Sequence, residues 1–332
     1  MSVAVPRGSS PPAPPQAPPH APEGGWSRRL LGPFHVTGVF WFRFHRFGVT
    51  ILPAPALRVV IAFFAAFFWL TLRKIRDAVA SNLEAVLGPC GWWERQRRIH
   101  RTFLTFAWCL SERYERLSTE QKFTVEAEGL EAWRELAASG GGFILVTAHI
   151  GAWEVGSMLP ASREGRRIHV VREAETDPRA QEFIAGLIRS RGGELYTTHF
   201  AEDAQLGMTL LDALRRNEIV ALQGDRPRSG GRTVEVRLFG RPYSLPLGTA
   251  ALARAAGVPI VPVFVFREGR LRYRCVMRPA IAVAESADRQ RDLREALERF
   301  AADLEAAIRH EPHQWFCFRK LWKERTSAIM QE

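Results

Sequence analysis

Gly141-Gly-Phe-Ile-Leu-Val-Thr-Ala-His149-Ile-Gly-Ala-Trp-Glu154 is the stretch that decides how this chain is read. Phe143 to Val146 form a short apolar run bounded by glycines, the pattern of an interior strand, and Trp153 to Leu159 read as the start of a helix. His149 and Glu154 therefore fall at a strand-to-helix corner, the mouth of an α/β layer, where such folds place their sites. Five residues along an ideal helix turn the side chain by about 140°, so two mid-helix residues at this spacing would diverge. His149 is accordingly expected before the helix and Glu154 in its first or second turn, with Gly151 permitting a close backbone approach and leaving room for a substrate beside the imidazole.

Outward from this corner, short β-branched runs alternate with amphipathic stretches. The runs are Arg167 to Val171, Ile219 to Gln223, Val234 to Leu238 and Ile260 to Phe266. The alternation predicts an α/β domain over 121–325 built on a mixed β-sheet flanked by helices. A last helix, about Arg291 to Arg309, lines up Leu293, Leu297, Phe300, Leu304 and Ile308 and stops before Pro312.

Upstream, residues 26–120 read as an N-terminal helical, membrane-associated region. Between Arg58 and Arg73 the chain is apolar all round a helix, with Phe63, Phe64, Phe67, Phe68 and Trp69, yet shorter than the ~20 residues that span a bilayer. Before it, Phe34, Phe40, Trp41, Phe42, Phe44 and Phe47 alternate with Arg43, His45 and Arg46, a mixture suited to a headgroup layer. A helix lying in or dipping into the membrane is expected, with Pro53 and Pro55 interrupting any longer span. Two further helices follow, at 73–88 and about Trp93 to Arg116; the arginines of the second read as a solvated face opposite a core stripe. Residues 1–25, rich in Pro, Ser and Ala, read as a disordered tail without the apolar stretch of a signal peptide.

The bulk numbers agree with one sizeable domain plus a helical appendage: 332 residues, 46% hydrophobic and 24% charged. Lys and Arg outnumber Asp and Glu by 46 to 35, and the resulting +11 implies an anionic partner, whether membrane surface, nucleic acid, acidic carrier protein or phosphorylated substrate. Cys90, Cys109, Cys275 and Cys317 are scattered without a C-x-x-C pair, which argues against zinc and against a disulfide framework. No metal and no cofactor are expected.

The His-x4-Glu spacing is common by chance, so its position carries the argument. A carboxylate at 154 accepting Nδ1–H would fix the tautomer that leaves Nε2 free to take a proton from a hydroxyl or amine. No Ser or Cys sits at a G-x-S-x-G elbow, so attack by a substrate hydroxyl on a bound acyl donor fits better than a covalent acyl-enzyme. Gln223-Gly-Asp-Arg-Pro227 follows another strand. There Arg226 is suited to an anionic group, while Asp225 is suited to orienting Arg226 or to serving as an additional partner of His149. Arg172 ends a third strand.

In this order, the pieces resemble the lysophospholipid acyltransferase superfamily, and within it the bacterial lipid A late acyltransferases. The resemblance covers most of 35–325. It runs through Arg76 and Asn82-Leu83, His-x-Gly-x-Trp-Glu at 149–154, Val171-Arg172 followed by Arg189 and Gly192, and Gly224-Asp225-Arg226. Beyond these it includes Phe239-Gly240-Arg241, Leu247 to Ala250, Leu252-Ala253, Pro259 to Phe264, and Gln314-Trp315 with Arg319, Lys320 and Trp322-Lys323. It implies transfer of a fatty acyl chain from an acyl carrier protein or coenzyme A thioester to a hydroxyl of a membrane glycolipid, at the cytoplasmic face of a bacterial inner membrane. By the same resemblance His149 is the base and Glu154 its orienting carboxylate. Gly151, Trp153, Arg172, Asp225 and Arg226 then contact substrate or stabilise the oxyanion.

Two departures bear on the acceptor: Ala152 stands where lipid A enzymes often carry Asn, and Gln-Gly-Asp-Arg-Pro replaces their more usual Asp-Gln-Asp. Phosphatidylinositol mannosides, amino lipids and aryl-polyene or sulfonolipid-type acceptors therefore stand beside lipid A. The rival activity is a membrane-surface hydrolase, in which His149 activates water. A nucleic-acid binder is disfavoured, because no DNA- or RNA-binding module pattern accompanies the positive charge.

Overall fold

The computed structural model describes residues 39–119, 123–153, 166–173, 177–189, 196–228 and 230–322. The Pro-rich stretch 1–25, Glu154 with the helix expected after Trp153, Gly192 and Lys323 lie outside the described residues. Helices α1 (Val39–Ile51), α2 (Ala54–Thr71), α3 (Arg73–Leu87) and α4 (Trp92–Ser118) come first. Then follow β1 (Thr124–Glu128), α5 (Leu130–Ala138), β2 (Phe143–Thr147), β3 (Ile168–Arg172), α6 (Pro178–Arg189), β4 (Tyr196–Phe200), α7 (Leu206–Arg215) and β5 (Ile219–Gln223). The chain closes with β6 (Thr233–Leu238), β7 (Arg241–Pro246), α8 (Gly248–Ala256), β8 (Ile260–Gly269), β9 (Arg272–Met277) and α9 (Arg289–His310).

Seven strands form one sheet in the order β1-β9-β8-β2-β5-β3-β4. All its pairings are parallel except β8 with β9, so the mixed sheet expected from the sequence is the one observed. β2 lies near the centre, paired to β5 and β8. Because side chains alternate along a strand, Ile144 and Val146 enter one core with Leu297, Phe300 and Leu304 of α9, while Phe143 and Leu145 enter the other with Trp133 of α5. Burial on both faces explains why this strand is a continuous apolar run. The β6–β7 hairpin is a separate antiparallel pair, with Val236, Leu238, Tyr243 and Leu245 packed into the first core.

Helix α2 breaks from α1 at Pro53, which supplies the extended N-cap conformation, and Pro55 sits harmlessly in the first turn, where no amide partner is needed. Leu57, Ile61 and Ala65, four apart, are its buried stripe. Phe68 and Trp69 continue inward, packing against the cluster of Val79, Leu83, Ile99 and Phe103, and Trp69 lies edge-on to His100. Helical spacing thus brings Phe68 and Trp69, both half-buried, to the α3–α4 side. Phe63 and Phe67 are exposed and Phe64 is half-buried. Trp41 belongs to α1, but its side chain is outside the described set.

The arginines of α4 divide. Arg97 is exposed, as a solvated face requires, whereas Arg98 is half-buried, pairs with Glu94 and donates to the carbonyl of Gly88 at 3.0 Å. Further along, Glu112 is buried and accepts from Arg267 Nε at 3.0 Å, Arg267 Nη2 at 2.8 Å and Tyr273 OH at 2.7 Å. Glu115 pairs with Arg270 beside it. Burial pushes the Glu115 carboxyl upward, opposed by Arg270 and reinforced by Glu112. These bonds fasten the N-terminal helices to β8 and β9, since removing either partner would leave a buried charge uncompensated.

Candidate active site

Parallel order brings the C-terminal ends of β2, β5 and β3 side by side, and each carries one sequence-selected group just beyond or at its end. Gly224 follows β5, and its amide donates to Thr147 O at 2.8 Å. A Cβ there would stand 2.4 Å from Val146 Cγ2, so glycine is what lets the turn sit against β2. The next residue, Asp225, is fully buried and places Oδ1 2.7 Å from His149 Nδ1. The strands' neighbourhood thus joins residues 76 apart in sequence.

Burial pushes the Asp225 carboxyl upward, but the His149 ring, its hydrogen bond and the Arg226 guanidinium outweigh this and hold it down to about 2. An ionised carboxylate can only accept, so the proton between the two lies on Nδ1, and Nε2 is on the opposite side of the ring. The imidazole is 30% exposed, so that face is reachable. Arg226 Nε stands 3.6 Å from Asp225 Oδ2, and Tyr243 OH donates to the Asp225 carbonyl at 2.5 Å.

The corner carrying His149 is clamped by the C-terminal segment. Phe316 N donates to His149 O at 2.8 Å, Gly151 N to Gln314 O at 2.9 Å, and Ile150 bridges Trp315 antiparallel. On the other side, Ala152 N donates to Val265 O at 3.0 Å. Gln314 also uses its side-chain amide as a strand would, accepting from Arg267 N at 2.8 Å and donating to Arg267 O at 2.9 Å. Asn82 of α3 is buried and holds the same segment by donating to Cys317 O and Arg319 O and accepting from Leu321 N.

Gly151 has φ +53°. A Cβ on it would meet Val265 O at 2.2 Å and Gln314 Oε1 at 2.7 Å. The close approach expected there is therefore to β8 and to Gln314. Beside the corner, Trp153 joins Leu145, Thr147, Val170, Leu222 and Val263 around an apolar slot of ≈ 50 Å³. The amide nitrogen of Gln223, another lining residue, is buried without a hydrogen-bond partner among the described residues. Arg172 ends β3 half-buried, and the pairing of Val170 with Ala221 puts it level with the end of β5.

Asp225 thus occupies Nδ1, the partnership that the sequence raised as an additional one. Glu154, expected there as the orienting carboxylate, lies outside the described residues. Tyr243, Gln314 and Asn82 had no assigned role in the sequence. Gln314 and Asn82 stood in blocks that carry the family resemblance, which was the available signal; for Tyr243, alternation along its strand was the clue.

A family model described as bacterial lipid A biosynthesis acyltransferase matches residues 31–324. Two curated relatives, phosphatidylinositol mannoside acyltransferases from two strains of Mycobacterium tuberculosis, are each 29% identical over 196 residues, 58% of this chain. That match spans 58% of the length of each relative. A crystal structure of a 1-acyl-sn-glycerophosphate acyltransferase from Thermotoga maritima aligns with TM-score 0.36 and 13% identity, covering 76% of this chain and 96% of that one.

Proposed function

The chain belongs to the bacterial lipid A biosynthesis acyltransferase family, and on that premise we propose that it moves a fatty acyl group from a thioester to a hydroxyl or amine of a membrane glycolipid. The donor is an acyl carrier protein or coenzyme A thioester, and the acceptor is of lipid A type or a relative such as a phosphatidylinositol mannoside. The observation that carries this reading is the 2.7 Å bond between a part-exposed imidazole and a fully buried, ionised aspartate beside an apolar slot.

The chemistry balances without a protein nucleophile. His149 Nε2 takes the acceptor proton as the acceptor oxygen or nitrogen bonds the thioester carbonyl carbon, and Asp225 stabilises the imidazolium that forms. Arg226 and Arg172, at the ends of the neighbouring strands, supply positive charge toward the developing oxyanion. Collapse breaks the C–S bond, and the departing thiolate recovers the proton from Nε2. Trp153 and the slot guide the start of the alkyl chain.

The reaction is placed at the cytoplasmic face of a bacterial inner membrane. Helix α2 is long and apolar enough to cross a bilayer by length and composition, and it exposes Val59, Phe63, Phe67 and Leu70. Phe47 and Ile51 of α1 are exposed as well. Such a patch is suited to burial among lipid headgroups and upper acyl chains.

The test incubates purified protein with an acyl thioester and a bacterial lipid extract and follows the acyl group by mass spectrometry. Acylated glycolipid that disappears in His149→Ala is the expected result. Free fatty acid as the sole acyl product would overturn transfer in favour of hydrolysis.

A further inference from the structure

Away from the His149–Asp225 pair, a groove of ≈ 1230 Å³ lies between α3, the first turn of α4, the β6–β7 turn and residues 320–322. Arg95, Arg237, Arg241 and Lys320 line it, against the two carboxylates of Asp77 and Glu84. Among the described residues, Arg95 and Arg241 have no carboxylate within ion-pair distance, and Arg237 donates to the carbonyl of its own turn at Gly240. Guanidinium groups lining a concavity, with no acid within ion-pair distance of Arg95 or Arg241 among the described residues, match a phosphate.

The two acids narrow the ligand further. Asp77 and Glu84, seven residues apart on α3, share one wall and have no ion pair among the described residues. A uniformly acidic protein helix would meet them in repulsion. A phosphate ester that also bears hydroxyls satisfies both walls, its oxygens accepting from arginine and its hydroxyls donating to the carboxylates. Trp322 adds a flat apolar surface beneath Arg241, at 5.8 Å. Trp322 itself is buried, so it holds Arg241 at the groove wall rather than touching the ligand.

What lies at the groove's edge says how the ligand arrives. Trp92 and Trp93 begin α4, one turn from Arg95, and are 61% and 81% exposed, with Leu87 exposed just before them. Neighbouring tryptophans in this state are the residues that settle at a bilayer's headgroup level. We propose that this groove binds a phosphorylated, hydroxyl-bearing lipid headgroup presented by a membrane on which Trp92 and Trp93 anchor. Trp322 packs 5.9 Å from Tyr243, whose hydroxyl bonds Asp225, so the ligand sits one aromatic layer from the dyad. The inference rests on the membrane-surface part of the proposed function and not on the transfer step, and its readout is binding alone.

The test compares sedimentation of the protein with phosphatidylcholine vesicles containing either phosphatidylglycerol or phosphatidylmethanol, lipids of equal charge of which the first carries headgroup hydroxyls. Wild type is expected to bind the phosphatidylglycerol vesicles more tightly. Arg95→Gln/Arg241→Gln should weaken that binding at least tenfold, while the charge-matched control Arg134→Gln/Arg289→Gln loses twofold or less. Asp77→Asn/Glu84→Gln should erase the preference between the two lipids. Equal losses in the two arginine variants, or equal binding of the two lipids by wild type, would overturn the proposal.

A second arm titrates soluble glycerol 1-phosphate by calorimetry. Binding that Arg95→Gln/Arg241→Gln abolishes assigns recognition to the headgroup alone. Its absence, with the vesicle preference intact, assigns recognition to the headgroup at a lipid surface. Failure to bind any vesicle would sink the membrane reading, and the soluble arm then decides the groove: glycerol 1-phosphate bound through Arg95 and Arg241 keeps its chemistry, and no binding overturns it.

Discussion

Replacing Asp225 by Asn removes one charge from beneath the imidazole and almost nothing else, because the two side chains have the same shape and the Tyr243 hydroxyl binds the backbone carbonyl. With the Asp225 carboxylate 2.7 Å from Nδ1, the imidazolium formed during proton transfer is stabilised by its full negative charge. At a charge separation of ~4 Å and an effective dielectric of ~20 this is worth about 4 kcal/mol. Lost from the barrier, that is about a thousandfold in kcat. The tautomer compounds the effect: an Asn amide donating to Nδ1 would place the ring proton on Nε2, where it blocks the base. The assay follows thiol release from an acyl thioester in the presence of acceptor lipid, with 15N spectra of labelled histidine reporting which ring nitrogen is protonated. A kcat within tenfold of wild type, in protein whose thermal unfolding is unchanged, would refute Asp225 as the partner on which catalysis depends.

Further outcomes are expected. His149→Ala should lower kcat by ~100-fold or more with unfolding unchanged, and Glu154→Gln should lose less than Asp225→Asn, both read in the same thiol-release assay. Gly151→Ala forces a Cβ to 2.2 Å from Val265 O at φ +53°, and should cost about 3 kcal/mol or more, measured by chemical denaturation. Deleting residues 34–72 should weaken sedimentation with anionic vesicles; unchanged partitioning would return those aromatics to the protein core. Burial, aided by Arg101, lowers the His313 imidazole from its usual range to about 4. The unfolded chain then binds this proton more readily than the folded one, so stability should fall between pH 6.5 and 4 and level off below. For this incompletely sealed group the loss is discounted to about 1–2 kcal/mol, and it should be absent in His313→Gln.

The central elements were legible because their causes are local. β5 was read at its observed bounds, β2 within one residue, and α3 and α9 within two residues of theirs, since apolar periodicity and glycine or proline stops act within a few residues. β1, β4, β7 and β9 escaped notice for a matching reason. β1 and β4 are edge strands and β7 belongs to a hairpin; short and polar on one face, they lack the continuous apolar run of β2. The arginines of α4 were read as a solvated face, whereas Arg116 is buried with Glu112 and Glu115, and the burial of Glu112 is decided by Arg267, 155 residues away.

By itself, the sequence determined that a strand delivers His149 to a corner and that two other strands end in Arg172 and in Asp225-Arg226. Which of those ends are neighbours was decided by strand order, and strand order set Asp225 against Nδ1. The physical reason is the range of the forces involved. Backbone preference and side-chain alternation are properties of consecutive residues, while a buried carboxylate finds its partner across a sheet, through packing that no short window of the chain contains.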